Sequence, residues 1–133
     1  METRRKKCLI IEDEVSDYLD HFIELDKEHD VIVVSILSDA IEYLTEDPLS
    51  YDFVILDIMM PPTIYDSSEV RGGLETGIKF YNENLINKKI KVIVWTRFYK
   101  EASDCNLWGK NVLEIVEKEF RNKKQLLDLI NKY

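Results

Sequence analysis

The sequence predicts an α/β domain built on an open sheet of parallel strands with helices on both faces. Five short runs of apolar, largely β-branched residues recur along the chain, and their hydrophobicity is nearly continuous rather than alternating, as in strands buried on both faces. Segments with helical spacing separate the runs, which favours right-handed crossovers and a doubly wound sheet. The predicted strands are Cys8–Ile11, Val31–Val34, Phe53–Leu56, Val92–Trp95 and Val112–Val116.

Four helices are predicted from apolar residues three or four positions apart, which would form one buried stripe on each helix. In chain order the stripes are Val15, Leu19 and Phe22; Leu37, Ala40, Ile41 and Leu44; Leu74, Ile78, Tyr81 and Leu85; Leu126, Leu127 and Ile130. Ser38 is a candidate N-cap of the second helix, Pro48 follows its end, and the last helix begins at about Arg121. The range 98–111 has the weakest periodicity, so we expect a short helix there.

Length and composition favour one globular domain over the range 1–133, with no output domain following it. Of the 133 residues, 45% are hydrophobic and 33% charged, an ordinary globular balance. No apolar run is long enough to span a bilayer, and acids follow the basic start too closely for a signal peptide. Cys8 and Cys105 are too few for a disulfide framework, so we expect reduced thiols and a cytoplasmic location.

The formal net charge of −8 argues against nucleic-acid binding, which needs a basic surface. The one basic patch, Arg4–Lys7, is either a solvated lead into the first strand or a weak contact surface. His21 and His29 lie far apart in an acidic segment with no Cys/His cluster, which argues against a zinc site. We expect Trp95 and Tyr81 in the core, whereas Trp108 could equally belong to an exposed partner surface.

The residues that follow the strands carry the chemistry. In parallel sheets of this class, ligands bind beyond the carboxyl ends of the strands. Strand one is followed by Glu12 and Asp13, strand three by Asp57 and strand five by Lys118, and strand four ends at Thr96. Carboxylates about 4–5 Å apart repel by roughly 3–4 kcal/mol per pair at an effective dielectric near 20. Such a cluster must take up protons or hold a cation.

Oxygen ligands in a partly open, water-accessible cup suit Mg²⁺, which prefers one or two carboxylates together with waters and phosphate oxygens. An aspartate beside Mg²⁺ and a lysine can attack a phosphoryl donor and become an aspartyl phosphate. Lys118 and the metal would neutralise charge on the transferring group, and the Thr96 hydroxyl could donate to one of its oxygens. These residues therefore predict a phosphoacceptor site with Asp57 as the nucleophile.

This pattern resembles the response-regulator receiver domain, the phosphoacceptor module of two-component signalling, over nearly the whole chain. The matching segments are LIIEDE after strand one, LDIMMPP after strand three, VIVWTR at strand four and EIVEKEF at strand five. The resemblance implies a flavodoxin-like sheet with strand order 2-1-3-4-5. It also implies phosphorylation of Asp57 by a histidine kinase, with Mg²⁺ held by Glu12 (partly through water), Asp13, Asp57 and the Met59 carbonyl.

The chain departs from the family at four places. Glu119 replaces the proline that usually follows the lysine, often after a cis bond. Arg97 replaces a small residue after Thr96 and could either shield Asp57 or pair with the phosphoryl group. Ile115 stands where the family commonly has an aromatic residue that reports phosphorylation, so any switch would work differently, for example through Phe98 or Tyr99.

The fourth departure is an extended loop over 58–73, longer than in the family. Three of the four glycines and two of the three prolines lie within 61–77. Long loops inside compact domains are usually functional or disordered. The loop is either a tolerated surface insertion or a lid or partner-contact element.

The leading hypothesis is a stand-alone receiver: a phosphoacceptor switch, not an enzyme, that assists its own phosphotransfer and dephosphorylation. Its expected partners are a histidine kinase or histidine phosphotransfer protein and a downstream target protein, with a homodimer also allowed and neither nucleic acid nor membrane involved. The alternative is a receiver-like interaction module that does not depend on phosphate, which Arg97 and Glu119 favour. A phosphohydrolase would need a second aspartate where Met59 stands, and a flavin protein would need a glycine- and hydroxyl-rich loop after strand one.

Overall fold

A computed structural model describes residues 4–46 and 50–133 of the chain. Among these residues five parallel strands form one sheet in the order β2-β1-β3-β4-β5, as predicted. The strands are β1 Lys7–Ile11, β2 Asp30–Val34, β3 Phe53–Leu56, β4 Lys91–Thr96 and β5 Val112–Glu117. The five predicted strands are all confirmed, to within one residue at each end.

Helices cover both faces of the sheet, and each face has its own apolar core. The helices are α1 Leu19–Asp26, α2 Leu37–Glu46, α3 Thr76–Asn84, α4 Tyr99–Asp104 and α5 Gln125–Lys132. Side chains of α1 and α5 pack on one face, and those of α2, α3 and α4 pack on the other. The short α4 is the helix expected in the weakly periodic range. No helix among the described residues is long and apolar enough to cross a bilayer.

The predicted stripe of the first helix was partly wrong. Val15–Tyr18 is a 3₁₀ helix that runs directly into α1, so the first turn has a tighter repeat than the α-helical spacing assumed. Leu19 is consequently 50% exposed, while His21 is 1% exposed and Tyr18 and Phe22 are also buried. A histidine that the sequence placed in an acidic helix therefore belongs to the core.

Two predicted helix boundaries were also wrong. The second helix begins at Leu37, so Ser38 lies inside it and cannot be its N-cap. The last helix begins at Gln125 rather than near Arg121, because hydrogen-bonded turns occupy the preceding residues. The position predicted for Pro48 lies outside the described residues.

The structure tests the predicted burial of two tryptophans and one tyrosine. Trp95 and Tyr81 are buried, as predicted. Trp108 is half-buried: its indole N–H donates to the Ala102 carbonyl at 2.7 Å, and its ring packs edge-on against Tyr81. Trp108 therefore belongs mainly to the packing between α4 and the end of α3.

The basic patch at the start of the chain is engaged within the domain. Arg4 pairs with Asp52 at 2.8 Å, and Arg5 pairs with Asp30 at 3.1 Å. The Lys6 ammonium donates to the Ile130 carbonyl at 2.8 Å. These contacts favour the interpretation of a lead into β1 over that of a weak contact surface.

Gly77 brings the start of α3 into backbone contact with the end of β3. Its N–H donates to the Ile58 carbonyl at 2.7 Å, and a Cβ at this position would lie 2.5 Å from the Ile58 Cα and still closer to the Asp57 carbonyl oxygen. Neither neighbour is a flexible side chain. Only a glycine therefore lets this helix close against the backbone that carries Asp57.

We expect Gly77→Ala to lower the free energy of unfolding by at least about 2 kcal/mol, because the added methyl group overpacks a backbone contact. Urea denaturation followed by circular dichroism measures this change. Asn82→Ala, a half-buried position on the same helix, is the matched control and should change stability by less than about 0.5 kcal/mol. Equal effects of the two variants would contradict the close-contact account.

Candidate functional site

The parallel register brings the candidate residues to one edge of the sheet. Ile11 is aligned with Leu56, and Leu56 with Val94, so Glu12 and Asp57 follow two neighbouring strands at the same level. Thr96 pairs with Glu117, and the next residue is Lys118. The Lys118 N–H also donates to the Thr96 carbonyl at 2.9 Å, one residue beyond the paired strands. The fold thus assembles the side chains that the sequence predicted would meet.

Lys118 lies at the centre of the site. Its ammonium group is 2.7 Å from Glu12 Oε1 and 2.8 Å from Asp57 Oδ2, and the side chain is fully buried. The ring centroids of Tyr18 and Trp95 lie 4.4 and 4.9 Å from the same nitrogen. Burial lowers the pKa of Lys118, but the charges of Asp57 and Glu12 outweigh it and leave the pKa above its ordinary value. The Lys118 amine is therefore protonated at neutral pH.

Asp57 is held on both oxygens. It is 3% exposed, its Oδ1 accepts the Ile58 N–H at 2.7 Å, and its Oδ2 accepts the Lys118 ammonium. Hydrogen bonds from an ammonium and from a backbone N–H fix the orientation of the carboxyl group. Asp57 is thus held in one position at the end of β3.

The site carries more negative than positive charge. Oxygens of Glu12, Asp13, Glu14 and Asp57 all lie within 4.8 Å of one another. Glu12 Oε2 and Asp13 Oδ1 are buried and have no hydrogen-bond partner among the described residues. Buried polar atoms are normally satisfied. A water, a proton or a further cation bound there would supply the partner that these two oxygens lack.

The pKa shifts reflect the same imbalance. Burial and the nearby Asp57 carboxylate raise the pKa of Glu12 to about 8, against the opposing charge of Lys118. Burial also raises the pKa of Asp13. These carboxyl groups hold protons at pH values where an exposed acid would be ionised.

The donor set fits a hard divalent cation. Every candidate ligand is a carboxylate or carbonyl oxygen, which Mg²⁺ prefers, and nitrogen and sulfur ligands of the kind that zinc favours are missing from the described cluster. Two of its oxygens, on Glu12 and Asp13, have no partner within the described ranges. Met59 lines the adjacent cavity, and its carbonyl as a metal ligand stays a prediction. Glu14 is a further carboxylate that the predicted ligand set did not include.

Thr96 is fully buried at the end of β4. Its hydroxyl oxygen accepts the Phe98 N–H at 3.0 Å, which leaves the hydroxyl hydrogen for another acceptor. The hydroxyl is therefore oriented by the backbone at the entrance to α4. Its donation to a phosphoryl oxygen stays a prediction.

Arg97 is paired with Glu14 rather than with Asp57. Its Nη2 lies 2.7 and 2.9 Å from the two Glu14 oxygens, and the guanidinium is 56% exposed. Both residues line an open cavity of about 330 Å³ beside the acidic cluster. The Arg97–Glu14 ion pair therefore lies at the mouth of the site. This pairing could not be predicted from the sequence.

The extended loop forms another wall of this cavity, through Gly72 and Gly73. Its two ends meet: the Met60 N–H donates to the Gly73 carbonyl at 3.1 Å, and the Thr76 hydroxyl donates to the Met60 carbonyl at 2.6 Å. A Cβ on Gly73, which has φ +108°, would lie 2.7 Å from the Met60 carbonyl oxygen.

The loop is also packed against α3. Val70 is fully buried, and the Lys79 ammonium contacts both the Glu69 carboxylate at 3.2 Å and the Tyr65 ring at 5.1 Å. The extended loop is therefore an ordered segment that packs beside the site. Whether it also serves as a lid or partner contact stays a hypothesis.

Two buried residues near the site were missed by the sequence analysis. The Gln125 amide contacts the Trp95 indole and the backbone of Glu117 and Glu119, and the His21 ring contacts the Glu119 carbonyl. Both contact the backbone of residues next to Lys118, although neither belongs to a motif. Since their partners are backbone groups and a core indole, no sequence pattern marks them.

We expect the metal-free protein to lose stability as the pH rises from 7 to 8. Between the ordinary pKa of 4.5 and the folded value of about 8, Glu12 holds a proton in the folded state that the unfolded chain has released. The unfolding free energy therefore falls with rising pH and levels off above about 8. Urea denaturation in EDTA at several pH values measures the slope.

Glu12→Gln is the control for this titration, because it keeps the shape and cannot ionise. Its unfolding free energy should depend less on pH over the same range. A slope unchanged by the substitution would assign the pH dependence to other groups.

No family model matches the chain, and no curated protein sequence matches it significantly. Solved structures do match. The response regulator TrrA from Thermotoga maritima, solved in complex with Mg²⁺-BeF, is 26% identical, with a TM-score of 0.66 and 96% of this chain and 97% of that chain covered.

Two further structures show the same fold at lower identity. A response regulator receiver protein from Burkholderia phymatum is 16% identical, with a TM-score of 0.68 and coverage of 96% of this chain and 94% of that one. The BeF₃-activated N-terminal receiver domain of RstA from Klebsiella pneumoniae is 17% identical, with a TM-score of 0.62 and coverage of 94% and 96%. Over nearly its whole length, the chain therefore has the fold of a response-regulator receiver domain.

Proposed function

We propose that the protein is a phosphoacceptor switch that takes a phosphoryl group onto Asp57 in a Mg²⁺-dependent reaction. The observation that carries the proposal is the buried Asp57, bound to the Lys118 ammonium and surrounded by carboxyl oxygens without partners. The Mg²⁺-BeF complex of the Thermotoga maritima regulator supports the same chemistry for a protein of this fold. Glu12, Asp13 and Asp57 would hold the metal, with the Met59 carbonyl.

In the transfer, an Asp57 carboxylate oxygen bonds to phosphorus while the bond from phosphorus to its donor atom breaks. The electron pair of the broken bond remains on the donor, an imidazole nitrogen of a phosphohistidine or an oxygen of an acyl phosphate. Mg²⁺, when bound, neutralises charge on the phosphoryl oxygens. Lys118 supplies a second positive charge, and the Thr96 hydroxyl donates to one of these oxygens.

The phosphodonor in this proposal is a histidine kinase or a histidine phosphotransfer protein. The protein assists its own phosphorylation and dephosphorylation and has no separate substrate. Its output is binding to a downstream target protein or passage of the phosphoryl group onward, in the cytoplasm. The net charge of −8 and the engaged basic patch both favour a protein partner over nucleic acid.

Two observations favour the alternative, a receiver-like interaction module that works without phosphate. Asp57 already has a cation bound, and the Arg97–Glu14 pair stands at the mouth of the site. The unpartnered oxygens of Glu12 and Asp13 argue against this alternative, because a site kept only for binding proteins would gain nothing from them.

We expect incubation with Mg²⁺ and acetyl phosphate to add one phosphoryl group to the protein, because the site holds the Asp57 carboxyl group beside the Lys118 ammonium. Intact-protein mass spectrometry measures the added mass. The addition should disappear in Asp57→Asn and in EDTA.

Two negative outcomes differ in meaning. No added mass together with no Mg²⁺ binding by calorimetry would support the phosphate-independent module. No added mass despite clear Mg²⁺ binding would show that small donors are excluded, and a phosphorylated histidine phosphotransfer domain would be the next donor.

We further expect Glu14→Gln to speed phosphorylation by acetyl phosphate about threefold. The substitution removes one negative charge from the acidic cluster that an anionic donor must approach and frees Arg97 from its ion pair, and both effects lower the barrier. The initial rate at saturating Mg²⁺ measures the change. Asp17→Asn is the control, because it removes the same charge from the exposed 3₁₀ turn without touching Arg97. A slower Glu14→Gln protein would instead make Glu14 part of the metal site.

A further inference from the structure

The backbone on either side of Lys118 is held by side chains from other parts of the fold. Lys118 follows the last residue of β5 and precedes turns, so its backbone has few strand contacts of its own. Glu119 stands where the resemblance implies a proline, and no peptide bond among the described residues is cis. Some other constraint must therefore fix the direction in which the Lys118 side chain leaves the sheet.

Gln125 provides the first constraint from the start of α5. Its Oε1 accepts the Glu119 N–H at 2.9 Å and the Trp95 indole N–H at 2.8 Å, while its Nε2 donates to the Glu117 carbonyl at 2.8 Å. The residue is 5% exposed. One amide therefore joins the residues before and after Lys118 and fixes both to the core of the sheet.

His21 provides the second constraint from α1. Its Nε2 lies 2.9 Å from the Glu119 carbonyl oxygen, and because a carbonyl can only accept, the ring must donate N–H there. The ring is 1% exposed and packs against Tyr18 and Trp95. The same two aromatic rings contact the Lys118 ammonium, so the ring cluster supports both ends of the residue.

We propose that His21 and Gln125 are positioning residues that hold residues 117 and 119 in place and thereby keep the Lys118 ammonium between Glu12 and Asp57. The inference rests on the proposed function, in which Lys118 neutralises the transferring phosphoryl group. Neither residue touches the reacting atoms. They act through the backbone, which sets where the lysine side chain can reach.

The test compares four substitutions. His21→Phe keeps a ring but removes the donor, and Gln125→Met keeps the length but removes the amide. His21→Gln retains an N–H at the same number of bonds from the Cα. His29→Phe is the control, since His29 is also 1% exposed and bonded at both nitrogens, to the Lys6 N–H and to Asn131, away from Lys118. Thermal unfolding first confirms that each variant is folded at the assay temperature.

Two readouts are measured: the initial rate of phosphorylation by acetyl phosphate at saturating Mg²⁺, and the NMR signal of the Lys118 ammonium. We expect His21→Phe and Gln125→Met to react about tenfold more slowly and to shift or broaden that signal. His21→Gln should recover most of the rate, and His29→Phe should match the unaltered protein in both readouts, although it loses stability.

Unchanged rates in His21→Phe and Gln125→Met would overturn the proposal, and so would an equal loss of rate in His29→Phe, which would indicate general loosening. If the unaltered protein accepts no phosphoryl group from acetyl phosphate or from a phosphorylated histidine phosphotransfer domain, the proposed function fails, and the ammonium signal alone then decides. A signal displaced in His21→Phe and Gln125→Met but not in His29→Phe supports the positioning role. A signal unchanged in all three overturns it.

Discussion

The structure depends on one buried ammonium shared by two carboxylates. Lys118 neutralises a single charge, yet it lies within hydrogen-bonding distance of both Glu12 and Asp57. Breaking a buried pair of this kind leaves an uncompensated charge, which costs about 3–5 kcal/mol. The site is therefore stable only while Lys118 is in place, but one ammonium cannot balance the whole cluster. That remaining negative charge is what makes the edge of the sheet receptive to a proton or a metal ion.

The fold supplies this arrangement through backbone contacts more than through side chains. Gly77 lets α3 close onto the backbone after β3, and Thr76 and Gly73 join the ends of the extended loop at Met60. The loop can thus be long without disturbing Asp57, because the hydrogen bonds at Met60 hold its two ends together next to the site. Insertions of this kind cost little when their ends are already held together.

The strands and the main site residues could be predicted because both follow from simple rules. Continuous apolar runs indicate buried parallel strands, and the residues after such strands meet at one edge, so Glu12, Asp57 and Lys118 were identified before any geometry was known. The 3₁₀ turn before α1 could not be predicted, since local backbone tightening leaves no periodic signal, and it exposes Leu19, which the helical spacing assigned to the buried stripe, while His21 is buried. The interactions of Gln125 were equally invisible, because hydrogen bonds to backbone carbonyls and amides carry no sequence pattern.

Position 115 is an isoleucine, so an aromatic side chain there cannot respond to a phosphoryl group on Asp57. The contacts of Thr96 and Lys118 indicate another route for such a response. Buried side chains hold the backbone on both sides of Lys118. Lys118 would therefore move little when a phosphoryl group is added to Asp57. The Thr96 hydroxyl is different: its hydrogen bond within the described part of the chain comes from the Phe98 N–H, directly before α4. If the hydroxyl turns toward a phosphoryl oxygen, that bond couples the start of α4 to the motion. Under the proposed function, the position of the short α4, with Tyr99 exposed in its first turn, would then depend on the state of Asp57.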